Sequence, residues 1–165
     1  MKRSRINAAL RRMEDMCRAY RFALPPFCAF TPEQWQTLGH EYDEVRRCML
    51  GWDITDYGLG RFDEVGFSLI TIRNGHPDPA MGCPKPYAEK LLFLQEGQYS
   101  PNHFHWYKME DIINRGGGNV LIRVYNSRPD ESLDEVSPVT VHMDGRAVTV
   151  PAGTQLRLTP GQSIT

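Results

Sequence analysis

A chain of 165 residues fits one domain, since domains commonly run to roughly 100–200 residues, and a second full-sized domain is excluded. Its 41% hydrophobic and 24% charged residues are those of a globular protein rather than a disordered one. With 19 basic against 20 acidic side chains there is no general surplus for phosphate backbones or anionic lipid, so neither a nucleic-acid nor a membrane partner is expected. No apolar run approaches the ~18 residues of a membrane span. The first ten residues also lack the apolar stretch of a secretory signal, which makes a cytoplasmic protein the expectation.

Ser4 offers an N-cap to a helix in which Ile6, Leu10, Met13, Cys17 and Tyr20 recur every three or four residues, and Pro25-Pro26 ends that segment. Lys2, Arg3, Arg5, Arg11 and Arg12 lie at helical spacing with Glu14 and Asp15, the pattern of a solvated face. Thr31-Pro32-Glu33-Gln34 supplies an N-cap, a proline at the first helical position and a capping-box partner. Trp35, Leu38, Tyr42, Val45 and Met49 follow on one face, and Gly51 stops this second helix. Cys17, Cys28, Cys48 and Cys83 show no C-x-x-C or paired spacing, which predicts reduced, partly buried thiols rather than bridges or a zinc site.

After Gly51 the texture becomes β-rich, with short runs of Val, Ile, Thr, Phe and Tyr between Gly, Pro, Asn and Asp clusters. Strands are predicted over 67–73, 89–95, 103–108, 119–125, 139–143, 146–150 and 155–158, with Asp144-Gly145 as a tight hairpin turn and 127–138 as a polar loop. The expected fold is mainly β, a sandwich or barrel with an N-terminal helical cover.

Within 97–118 the chain reads Gly97, then His103-Phe104-His105, then Glu110, then Gly117. On a strand, residues two apart share a face, so His103 and His105 aim at one point. Glu110 lies an odd number of positions from both and needs a bend, for which a short helical turn over 109–113 is expected. Two imidazoles with a carboxylate suit Mn, Fe, Co, Ni or Zn, and affinity order does not choose among them. A bare His-x-His is more commonly a polar pair on an exposed strand.

The full spacing of Gly, five residues, His-x-His, four residues, Glu, six residues, Gly resembles motif 1 of the cupin superfamily, matched by Gly97, His103, His105, Glu110 and Gly117. That resemblance implies a jelly-roll barrel with an ion inside. A second cupin motif fits Gly145 and Pro151-Ala152-Gly153, but Leu156 stands where its histidine belongs, and a register from Gly161 meets the last residue before its histidine. The expectation is therefore a single cupin domain over 1–165, with 1–51 as helical cover and 52–165 as a barrel incomplete at its C-terminal end. His142 alternates with Thr140 opposite Val139, Val141 and Met143 and reads as structural, while His40 and His76 read as surface or packing residues.

Gly51-Trp52-Asp53-Ile54-Thr55-Asp56-Tyr57-Gly58, Tyr87-Ala88-Glu89-Lys90, the N-terminal Met1-Lys2-Arg3-Ser4 with Ile6-Asn7, and His105-Trp106-Tyr107-Lys108 with Glu110-Asp111 together resemble the D-lyxose isomerase family of cupins. The resemblance implies a manganese-dependent homodimeric isomerase interconverting D-lyxose and D-xylulose, with D-mannose and D-fructose as further sugars. It makes His103, His105 and Glu110 the metal ligands and places the catalytic base and a further ligand beyond Thr165.

Lys90 and Lys108, on predicted strands, are candidate catalytic ammonium groups for sugar oxygens, although an exposed lysine is the commoner case. Trp52, Asp53, Asp56 and Tyr57 fit either the barrel mouth or ordinary packing. Gly58-Leu59-Gly60 and 116–118 lack the context of nucleotide fingerprints, so no nucleotide cofactor is expected. An iron-dependent cupin oxygenase and a non-catalytic sugar-binding cupin use the same ligand set and stand as alternatives.

Overall fold

In a computed structural model, which describes residues 1–76 and 78–165, the first element is helix α1 (Arg3–Ala19). Ala9, Met13 and Cys17, four residues apart, are its buried stripe. Ser4 does not cap it. It lies in the first turn, and Lys2 supplies the extended residue before the helix without a side-chain bond. The C-terminus comes well before Pro25: Arg21 turns left-handed and the Phe22 amide donates to the Cys17 carbonyl at 2.8 Å, closing the last turn.

Thr31 forms the expected capping box, its hydroxyl accepting from the Gln34 amide at 3.2 Å while the Gln34 side chain accepts from the Thr31 amide at 2.8 Å. The predicted long second helix is nevertheless broken. It becomes α2 (Pro32–Thr37), a 3-10 turn His40–Tyr42 and α3 (Asp43–Arg47). Leu38 and Gly39 are extended, and Arg46 donates to both of their carbonyls at 2.8 Å, replacing the bonds a continuous helix would have made. Phe30, Trp35 and Tyr42 meet edge to face across the break with centroids 5.4–5.8 Å apart. Met49, in the left-handed region, ends α3, and Gly51 opens a strand instead of stopping a helix.

That strand, β1 (Gly51–Thr55), pairs antiparallel with β2 (Phe67–Arg73), which pairs with β3 (Glu89–Phe93). Ile70 and Ile72 of β2 pack under Met13 and Cys17, with Leu24, Cys28, Trp52, Leu91 and Phe93 around them. Trp52 takes the packing role: its indole donates to the Cys28 carbonyl at 2.7 Å. Asp53 and Asp56 accept from nearby backbone amides, and Tyr57 bonds Ser100. These elements lie in the compact unit Met1–Pro101.

The expectation of four reduced thiols is overturned. Cys48 and Cys83 form a disulfide, whereas Cys17 and Cys28 are free. The bridge joins the residue after α3 to the segment before β3, positions brought within 6.4 Å Cα to Cα by packing and not by spacing.

The unit Asn102–Thr165 comprises β4 (Ile112–Ile113), β5 (Val120–Arg123), β6 (Asn126–Ser127), β7 (Leu133–Asp134), β8 (Val139–Met143), β9 (Arg146–Val150), β10 (Gln155–Leu158) and β11 (Ser163–Ile164). One sheet has the order β4-β11-β8-β9, β5 pairs with β10, and β6 with β7 splits the expected polar loop into a small ribbon; all pairings are antiparallel. Val139, Val141, Leu158 and Ile164 form its core, and Leu156 packs beside them. Asp144 and Gly145, both with positive φ, make the predicted hairpin turn. Mainly β, antiparallel and preceded by a helix, the architecture is that expected of a cupin-like fold.

Candidate metal centre

Among the described residues, 102–111 form neither helix nor strand, so the predicted strand over 103–108 and the helical turn over 109–113 are both corrected. Both ends of this irregular stretch are anchored. On the near side the buried Gln98 donates to the Phe62 carbonyl and accepts from the Gln95 amide at 2.9 Å, while Gly97 adopts a φ of 76° that favours glycine.

On the far side the buried Asn114 amide donates to the carbonyls of Gly118 at 2.8 Å and Leu158 at 2.9 Å, and its oxygen accepts from Gly116 at 3.0 Å. Gly117, with φ 89°, lies in the turn so organised. The two motif glycines are thus backbone requirements. Asp111 accepts a hydrogen bond from the Thr165 hydroxyl. Gln98 and Asn114 carry no motif chemistry and their anchoring was missed in the sequence, while Asp111 was read there only as part of the family segment. Asn114 beside a glycine run is the one local signal that could have found an anchor.

Between the anchors, one donor atom each from His103, His105 and Glu110 lies within 4.8 Å of the others, and all three residues are exposed. The two imidazole rings are 5.2 Å apart at 76°, and His105 Nε2 is 3.5 Å from Glu110 Oε2. The other carboxylate oxygen, Oε1, accepts from Lys108 Nζ. Burial pulls the Glu110 carboxyl upward, but the hydrogen bond and charge of Lys108, joined by His105 and His103, outweigh it and hold the group below the ordinary carboxylate range. A charged carboxylate beside imidazole nitrogens is the donor chemistry a divalent first-row ion takes, so the residues fit such an ion.

Lys108 lies on the irregular stretch rather than on a strand. Lys90 is on β3 as predicted, opposite Thr71, and is exposed. The remaining histidines stand elsewhere: His40 pairs with Asp43 at 3.1 Å, His76 Nδ1 accepts from the Asp78 amide at 3.0 Å, and His142 is exposed on β8 opposite Ala147.

Fold and site together give a mainly β, antiparallel protein, consistent with a cupin-like fold, with a candidate divalent-metal cluster. A profile of the D-lyxose isomerase family matches residues 1–165. Two curated proteins, each called D-lyxose/D-mannose isomerase, one from Escherichia coli O157:H7 and one from Serratia proteamaculans, are 44% identical over 167 residues, covering 99% of this chain and 72% of each relative. The chain belongs to the D-lyxose isomerase family and is a sugar isomerase of the aldose–ketose type. Among the described residues, no helix is long and apolar enough to cross a membrane.

Proposed function

We propose that the chain is a manganese-dependent isomerase converting D-lyxose to D-xylulose and D-mannose to D-fructose, working as a cytoplasmic homodimer. The observation that carries this reading is the meeting of two imidazoles and a carboxylate within 4.8 Å in a chain of this family. The names of the two relatives supply the aldoses. His103, His105 and Glu110 would hold the ion, with manganese first and other divalent first-row ions able to replace it. When bound, such an ion supplies Lewis-acid stabilisation of negative charge on neighbouring sugar oxygens.

The chain's own groups have separable tasks. Glu110 is kept ionised, and Lys108 on one of its oxygens leaves the other turned toward His105. Isomerisation moves a proton between C1 and C2 as the carbonyl migrates, so one sugar carbon is reduced while its neighbour is oxidised and no external redox partner is needed. Lys90 and Lys108 are assigned to the sugar oxygens, where an ammonium offsets charge as the proton moves.

The test is incubation of the manganese-loaded protein with D-lyxose in deuterated water. D-Xylulose carrying deuterium at C1 is expected. Ketose without label would overturn proton transfer, and absence of ketose from fully loaded protein would overturn the substrate reading.

A further inference from the structure

Residues 74–88 join two paired strands, β2 and β3, by a connection far longer than the roughly two to five residues of an ordinary hairpin loop. Cys83 is the one buried residue among those described there, and its partner Cys48 is buried too. Few other tethers hold this segment to the end of α3: the Asn74 side chain donates to the Cys48 carbonyl at 3.0 Å, and Lys85 pairs with Glu44. Backbone contacts also close the neck of the connection: the His76 amide donates to the Cys83 carbonyl at 3.0 Å, and Gly75 lies so near Lys85 that a Cβ there would sit 1.6 Å from its carbonyl oxygen.

From this arrangement we propose that Cys48 and Cys83 are a redox-responsive staple, a dithiol under reducing conditions and a bridge under oxidising ones, which fixes the segment before β3 to the end of α3. Closing the bridge removes one hydrogen from each thiol and passes two electrons to a low-molecular-weight disulfide such as glutathione disulfide, which leaves as two thiols. Opening it loosens the segment over 78–88, so the effect is local to this connection.

The other two cysteines, Cys17 and Cys28, pack in the core around Met13 and Ile70 and form no bridge. The stapled segment runs directly into the end of β3 that carries Lys90, where the pairing with β2 shifts register between Thr71 and Arg73. The inference stands independently of the metal reading.

The experiment equilibrates the full chain in glutathione buffers from reducing to oxidising, then alkylates it after acid quench and denaturation. Two alkylated cysteines in oxidising buffer and four in reducing buffer are expected, with Cys48 and Cys83 changing together. Hydrogen exchange over 78–88 should be about tenfold faster in the reduced form and unchanged in α1. Cys83→Ser should show the fast exchange in either buffer, and Cys48→Ser serves where that variant folds poorly. A constant count of two or of four across the series, or equal exchange over 78–88 in both forms, would overturn the proposal.

Discussion

Residues 102–111 and strand β8 both set histidine among apolar neighbours, with opposite results. In β8 the ladder sends successive side chains to alternate faces, so Val139 and Val141 are buried while Thr140 and His142 face solvent. In 102–111 no ladder holds the backbone, and Glu110 meets His103 and His105 although a continuous strand would send it to the opposite face. A regular strand distributes its side chains to alternate faces, whereas the irregular stretch over 102–111 brings three donors together. Gln98, Asp111 and Asn114 are its anchors, and they are held by hydrogen bonds rather than by apolar packing.

The sharpest way to break this contrast is substitution of the histidines themselves. His103→Ala or Glu110→Gln should weaken manganese binding by on the order of 100-fold, since even indirect supports of a metal site cost about 10–100-fold. His142→Ala should leave the affinity where it was. Titration calorimetry with manganous ion reads all three, and a loss with His142→Ala equal to that of the ligands would dissolve the distinction.

Next in size is an anchor. Asn114→Ala strips the Gly118 and Leu158 carbonyls of their buried donor and should lower unfolding stability by about 2 kcal/mol. Urea denaturation checks it. An unchanged midpoint would mean that the end of the stretch is held by other groups.

How far the fold was legible follows the same division. The bounds of β2, β8, β9 and β10 could be read because β-branched alternation and turn residues act within a few positions of one another. The capping box at Thr31 is equally local, and Thr31→Ala should cost about 1 kcal/mol in thermal or urea unfolding, a smaller loss than Asn114→Ala because the group is exposed. The break after α2 was not legible, since it rests on Arg46 reaching back to Leu38 and Gly39.

Nor was the Cys48–Cys83 bridge, whose partners are separated by 35 positions and joined by packing. At the candidate metal cluster the donor types and the glycines were readable from spacing, while the backbone carrying them was not. A run such as His-Phe-His-Trp-Tyr has strand propensity, and only long-range pairing decides whether a ladder forms.

The smallest expected effect concerns a second irregular stretch, and it tests whether anchoring by a single side chain is a general device here. Asp134, on β7, accepts from the amides of Val136 at 2.9 Å and Ser137 at 3.0 Å and so shapes the approach to β8. The Ser137 hydroxyl and these two amides hold its carboxyl down to about 2, against an ordinary 3.8. Because the folded state favours the ionised form, the contribution to stability is complete above about pH 4 and is lost as pH falls toward 2. Asp134→Asn should therefore narrow the difference in urea midpoint between pH 5 and pH 2.5 relative to the unsubstituted chain. The same slope in both would show that the 134–138 turn keeps its shape without the charge, and that anchoring by a single side chain is particular to the neighbourhood of 102–111.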